Sequence, residues 1–270
     1  MAQTTARVRP PAVAGRFYPG AAQPLQDTVQ QLLEAAGEES PPHGSEQPPR
    51  AAVLPHAGYP FSGVAAARGY RHLAPLRGRI HHVVLLGPAH FVDLHGIALP
   101  EAQALATPLG TVAVNESLRE QALEHPDVHV NDAAHAHEHS LEVHLPFLQV
   151  VLPETDLLPL AVGRISPPSC GKLLESLWRE DTLLLVSSDL SHFHDDSTAR
   201  RMDAETTAAI ESGTFETITP ERACGAAPLR GLLWLARKHG LQARTVAQCN
   251  SGDVTGDRSA VVGYGSYVFH

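Results

Sequence analysis

VVLLGPAH, residues 83–90, is an unbroken apolar run that stops at Gly87-Pro88 and delivers a histidine two residues later. A run of that length without polar alternation reads as a strand buried on both faces. The same grammar recurs twice. AAVLPH, residues 51–56, ends at His56, and LLLVSSDLSH, residues 183–192, reaches Asp189 and His192. In open α/β sheets ligands collect in the crevice beyond the carboxyl ends of the strands. If these three strands are neighbours, His56, His90, Asp189 and His192 share one crevice. That is the geometry of a metal or acid/base site.

Around these runs strands and helices alternate. The patterns predict strands at 51–54, 82–86, 96–99, 156–162, 182–187, 242–248 and 260–268. Helices are predicted at 62–73, 115–124, 138–151, 168–179, 198–211, 219–223 and 227–239, and an earlier one over Pro24–Ala36. Such alternation specifies an α/β fold: a single domain over 1–270 with a mostly parallel sheet covered by helices on both faces. GEESPPHGSEQPPR, residues 37–50, is polar and Pro-rich and reads as a mobile surface loop.

Composition narrows the function. Hydrophobic residues make up 43% and charged residues 18%, with a net charge of −9, so nucleic acid and anionic membranes are not expected partners. No apolar stretch approaches the roughly 18 residues of a membrane span, and the N-terminus lacks the apolar core of a secretory signal. Three dispersed cysteines, Cys170, Cys224 and Cys249, suggest reduced thiols and a cytoplasmic setting. The expected partner is a small-molecule substrate, and a homo-oligomer is compatible. No GxGxxG, GxxxxGK[ST] or GxSxG motif marks a dinucleotide, P-loop or hydrolase-elbow protein.

The 17 histidines are the unusual count. A lone histidine in a turn is more often a hydrogen-bonded turn residue than a ligand, and His43, His72, His125, His239 and His270 are read as exposed. Repetition at strand ends favours a shared role for His56 and His90, since imidazole is the commonest metal ligand and the usual base near neutrality. Asp189 suits a metal ligand or an orienting carboxylate, and His192 a proton carrier. HAHEHSLEVHLPF, residues 135–147, is not a zinc-protease motif. His135 and His137 read as solvated there, while Glu138, His139 and His144 are candidates to line the crevice.

Taken together, VRPPAVAGRFYPG, LPHAGYPFSG, LLGPAH, EHSLEVHLPF, VSSDLSH, CGAAPLRGLL and SGDVTGDRSAVVGYGSY resemble the MEMO family, called AmmeMemoRadiSam system protein B in bacteria. The resemblance implies a fold like the class III extradiol ring-cleaving dioxygenases, with a non-haem iron pocket. It also implies that His56 and His90 match two metal-liganding histidines, and that Asp189 and His192 match further pocket residues. Animal members are described as holding iron or copper with a third ligand, a cysteine near the C-terminus. Counted back from Asp257 that position falls at about Gly252, so Cys249 and Asp253 stand as the candidate third ligands. Iron is the leading cofactor, with copper or zinc as alternatives. The expected activity is a dioxygenase-like oxidoreductase. A non-catalytic metal- or partner-binding protein and a zinc-assisted hydrolase are the other readings.

Overall fold

The computed structural model describes residues 7–37 and 48–270. His43 and most of the predicted surface loop lie outside them. The main sheet contains β2 (Ala51–Leu54), β3 (His82–Pro88), β4 (Ile97–Leu99), β7 (Val128–Val130), β8 (Asp156–Val162), β9 (Thr182–Ser187), β10 (His192–His194), β11 (Ala243–Asn250) and β12 (Val261–Phe269). Its order is β10-β12-β2-β9-β3-β8-β4-β7, with β11 paired to β12. The central four, β2, β9, β3 and β8, run parallel. Both flanks turn antiparallel, at β2–β12 and at β8–β4.

That order places the ends of β2, β9 and β3 side by side. The register is fixed across all three: Val53 faces Val186, which faces Leu86.

Alternate residues of these strands feed two cores, as a doubly covered sheet requires. Ala52, Leu54, Val83 and Leu85 pack with Leu25, Tyr70 and Phe147. These come from α1 (Ala22–Ala35), α2 (Tyr59–Leu73) and α5 (Leu145–Val151). Ala51, Val53, Val84 and Leu86 pack on the other face with Leu118, Leu173 and Leu229. Those belong to α3 (Glu116–Leu123), α6 (Pro167–Leu177) and α8 (Ala226–His239).

Most predicted elements stand within a few residues of their predicted bounds, and the departures have local causes. α7 (Asp196–Glu211) starts two residues early because Asp195 caps it, accepting from the Thr198 amide at 3.1 Å. The predicted helix 219–223 is a set of turns. The predicted helix 138–151 is helical only from a 3₁₀ turn at Glu142–His144 into α5, because the residues before it are tied into the site described next. A small sheet of β1 (Val8–Arg9), β5 (Ala104–Thr107) and β6 (Gly110–Ala113) was not legible from the sequence. Its strands are two to four residues long and carry no clean alternation. His72, read as exposed, is buried on α2.

Candidate metal centre at the strand ends

The convergence expected from the three runs is present. Two residues past β2, buried His56 donates its amide to Asp189 Oδ1 at 2.8 Å, and its Nδ1 meets Ser187 Oγ at 2.6 Å. Ser187 has one hydroxyl proton, and it goes to the Ser140 carbonyl at 2.7 Å. Ser187 must therefore accept from His56 Nδ1–H, which leaves the Nε2 lone pair of His56 available as a ligand.

His90 is set in the same way by a carboxylate. Its Nδ1 lies 2.8 Å from Glu138 Oε1, and its amide donates to Glu138 Oε2 at 2.6 Å. Burial pushes the Glu138 carboxyl up, but the His90 ring and the amides of His90 and Ser140 outweigh it and hold it at about 2. An ionised Glu138 fixes the His90 proton on Nδ1 and leaves the Nε2 lone pair available to a metal. Carboxylate–imidazole pairs of this kind orient metal-bound histidines.

Cys224 brings a third potential ligand atom to the group, with its Sγ 3.4 Å from His56 Nε2. His56, His90 and Cys224 place one ligand atom each within 4.8 Å of one another. Cys224 immediately precedes Gly225, the residue that opens α8. A Cβ on Gly225 would lie 2.6 Å from the Ser187 carbonyl oxygen and from Ser188 Cβ, so only glycine lets this turn reach the strand end. Burial, reinforced by Asp189, pushes the Cys224 thiol up. A thiol in that state becomes a thiolate on meeting a metal, and binding releases a proton.

The structure places the candidates Cys249 and Asp253 apart from this group. Cys249 sits on β11 opposite Tyr264 and packs with Ala65 and Ala247. Asp253 is bonded to Arg200 at 2.5 Å and accepts the Asn250 amide. Among the described residues neither joins a group able to hold a metal. Gly252 is buried, and a Cβ there would meet the Asp257 carbonyl at 2.9 Å. In the sequence Cys224 is marked only as the first residue of the CGAAPLRGLL segment, ahead of a helix. Its approach to His56 spans 168 positions and depends on how α8 packs.

The other candidates fall around this group. Asp189 is buried, with Oδ2 4.0 Å from His56 Nε2. Burial pushes its carboxyl up to about 7 against the opposing pull of the His56 amide. His192 donates Nδ1–H to the Leu190 carbonyl at 2.8 Å, and burial lowers its imidazole. His139 stacks on His90 with ring centres 4.7 Å apart, and with His90 and Glu138 it forms a second convergent group. His144 lies one step back: its Nδ1 is 2.9 Å from the Tyr70 hydroxyl, and its buried Nε2 has no hydrogen-bond partner. His135, read as solvated, is buried and bonds the Ala98 carbonyl through Nε2 at 2.9 Å.

The neutral, buried histidines set a pH dependence. Burial lowers His135 to about 4 and His144 to about 3. A histidine whose folded value lies below its unfolded one, near 6.5, leaves the unfolded state holding more protons between the two. Stability is therefore full above about 6.5 and is lost as pH falls toward the folded values. The raised Asp189 works the other way, favouring the folded state as pH falls from about 7, and offsets one histidine. We expect the urea midpoint to drop clearly between pH 7 and pH 5, each of the two histidines contributing about 2 kcal/mol at pH 5. A midpoint that holds steady over that range would contradict this account of their burial.

The model of the Memo-like protein family matches residues 9–268. The chain belongs to the Memo family. Relatives include MEMO1 family proteins of Aquifex aeolicus, 35% identical over 97% of this chain and 99% of that protein, and of Sulfolobus acidocaldarius, 31% identical over the same shares. Another from Thermotoga petrophila is 34% identical over 95% and 97%. A crystal structure of an uncharacterised Escherichia coli K12 protein superposes with a TM-score of 0.55 at 16% identity, covering 81% of this chain and 98% of that one. That likeness speaks to the fold alone. For this Memo family member, among the described residues, no helix is long and apolar enough to cross a membrane.

Proposed function

We propose that this protein binds one transition-metal ion through His56, His90 and Cys224 and acts on a small molecule as a metal-dependent oxidoreductase. The observation that carries the reading is the convergence of two imidazoles with fixed tautomers and one thiol. Two imidazoles suit iron, copper or zinc, and the thiolate adds preference for softer ions. The donor set therefore fits the metal that the family resemblance implies, although a carboxylate is not one of the three. Such an ion supplies Lewis-acid or redox chemistry when bound.

The residues of this chain do the rest. Ser187 and Glu138 hold the two rings in their ligating tautomers. Asp189, poised near neutrality, holds or gives up a proton beside His56. His192, neutral and half-buried, takes or returns a proton at Nε2. Proton carriers poised beside a metal group favour catalysis over a purely structural site. One observation favours a second reading: a thiolate donor also suits zinc, for which hydrolysis is the natural chemistry.

Anaerobic purification followed by elemental analysis and an oxygen electrode with catechols separates these readings. Stoichiometric iron or copper with catechol-dependent oxygen uptake supports the oxidoreductase. Zinc without uptake supports the hydrolase and overturns the oxidoreductase, while a chain that takes up no metal overturns both.

A further inference from the structure

Cys224 borders a second space. A cavity of about 400 Å³ lies between the ends of β3 and β8 and the start of α8, a size suited to a small organic ligand. Much of its wall is apolar, including Pro88, Val92 and Val162, and three charged side chains reach it: Asp93, Arg164 and Arg230.

Two of those charges cancel. Arg164 pairs with Asp93 at 2.7 Å and also bonds His95. Arg230 is different: its Nε is buried with no hydrogen-bond partner. The Glu216 carboxylate, which feels the Arg230 charge, is bonded to Arg237 at 3.0 Å. Among the described residues no carboxylate forms an ion pair with Arg230, so its guanidinium is left to meet an anion that enters the cavity. Ala226 and Ala227 also line the cavity, so the positive end of the 14-residue helix α8 opens on the same space.

We propose that this cavity receives the anionic group, carboxylate or phosphate, of a small ligand, with Arg230 as its receptor and the body of the ligand extending toward Cys224. Arginine presents a planar fork that matches either oxyanion with two parallel hydrogen bonds. The apolar wall would take a short hydrocarbon or aromatic body. The assignment of the anion pocket stands on Arg230 and α8. Only the link between the ligand body beside Cys224 and a metal there rests on the proposed function.

The test titrates benzoate and phenyl phosphate into wild-type protein, Arg230→Gln and Ala227→Asp by calorimetry, with the metal content of every sample measured. Wild type is expected to bind at least one probe saturably, and the tighter probe identifies carboxylate or phosphate as the head group. Arg230→Gln should bind it at least tenfold more weakly with unchanged metal content. Should Arg230→Gln fail to fold, Ala227→Asp serves, because an acid in the first turn suits the helix yet repels the anion. Saturable binding of neither probe, or equal affinity in wild type and the folded variants, overturns the proposal. Wild type that binds a probe but no metal sinks the metal reading and leaves the anion pocket standing.

Discussion

Replacing Cys224 with alanine is expected to weaken metal binding on the order of 100-fold or more, while Cys249→Ala binds like wild type. Loss of a supporting partner alone costs about 10- to 100-fold in metal affinity, and loss of a donor atom costs more. His56→Ala and His90→Ala should behave like Cys224→Ala. The two histidines follow the strand ends in turns rather than lying in the strands themselves, so all three variants are expected to keep their folded far-UV dichroism. Competition against a chromogenic chelator reads the affinities. Equal affinities for Cys224→Ala and wild type would remove the cysteine from the centre, and a loss confined to Cys249→Ala would restore the assignment made from sequence.

The second large effect lies at the N-terminal arm. Glu142 is fully buried and accepts four hydrogen bonds: from Arg9 Nη1 at 2.7 Å, the Ala12 amide at 2.7 Å, the Val13 amide at 2.9 Å and the Tyr18 hydroxyl at 2.6 Å. Arg9 in turn donates to the carbonyls of His135 and Glu138. Removing one partner of such a pair strands a buried charge, so Glu142→Ala should cost about 3–5 kcal/mol of unfolding free energy. Replacing both members with apolar residues of similar volume relieves the stranded charge. Arg9→Met/Glu142→Met should therefore be less destabilised than Glu142→Ala. Urea titration checks both, and a loss below 1 kcal/mol for Glu142→Ala would show that the network does not anchor the arm. The anchor also bears on the candidate metal site, because Phe17, on the same arm, packs against His139 with ring centres 4.8 Å apart.

What was legible in the sequence follows from the range of each interaction. The buried strands at 51–54, 82–86, 156–162 and 182–187 announced themselves because strands covered on both faces need unbroken apolar runs. Their ends then carried His56, His90 and Asp189 to one edge of the sheet once β2, β9 and β3 proved adjacent. Local periodicity failed at residues 138–141. Apolar spacing there fitted a helix, but the Glu138 carboxylate is engaged by His90 and the Ser140 amide, and Ser140 is bonded to Pro88 and Ser187. Tertiary hydrogen bonds outweighed propensity. The same reason hid His135, whose burial depends on the Ala98 carbonyl across the chain.

Cys224 was the residue least accessible to a reading of local pattern. Counting along the C-terminal segment pointed to Gly252, whereas packing brings in a residue at the start of α8. Gly225 makes that approach sterically possible, and Gly87 plays the matching part under Ser140, where a Cβ would lie 2.6 Å from the serine Oγ. Glycines at close backbone approaches are visible in a sequence, but which segments they admit is not.

The most direct test of the central claim is X-ray absorption spectroscopy at the edge of the bound metal in protein loaded with one equivalent. A centre built from His56, His90 and Cys224 predicts one sulfur scatterer at about 2.3 Å together with imidazole nitrogens at about 2.0–2.1 Å, values typical of zinc and close for its neighbours. It also predicts that the sulfur shell disappears in Cys224→Ala. A shell made only of nitrogen and oxygen in the wild type would contradict the account.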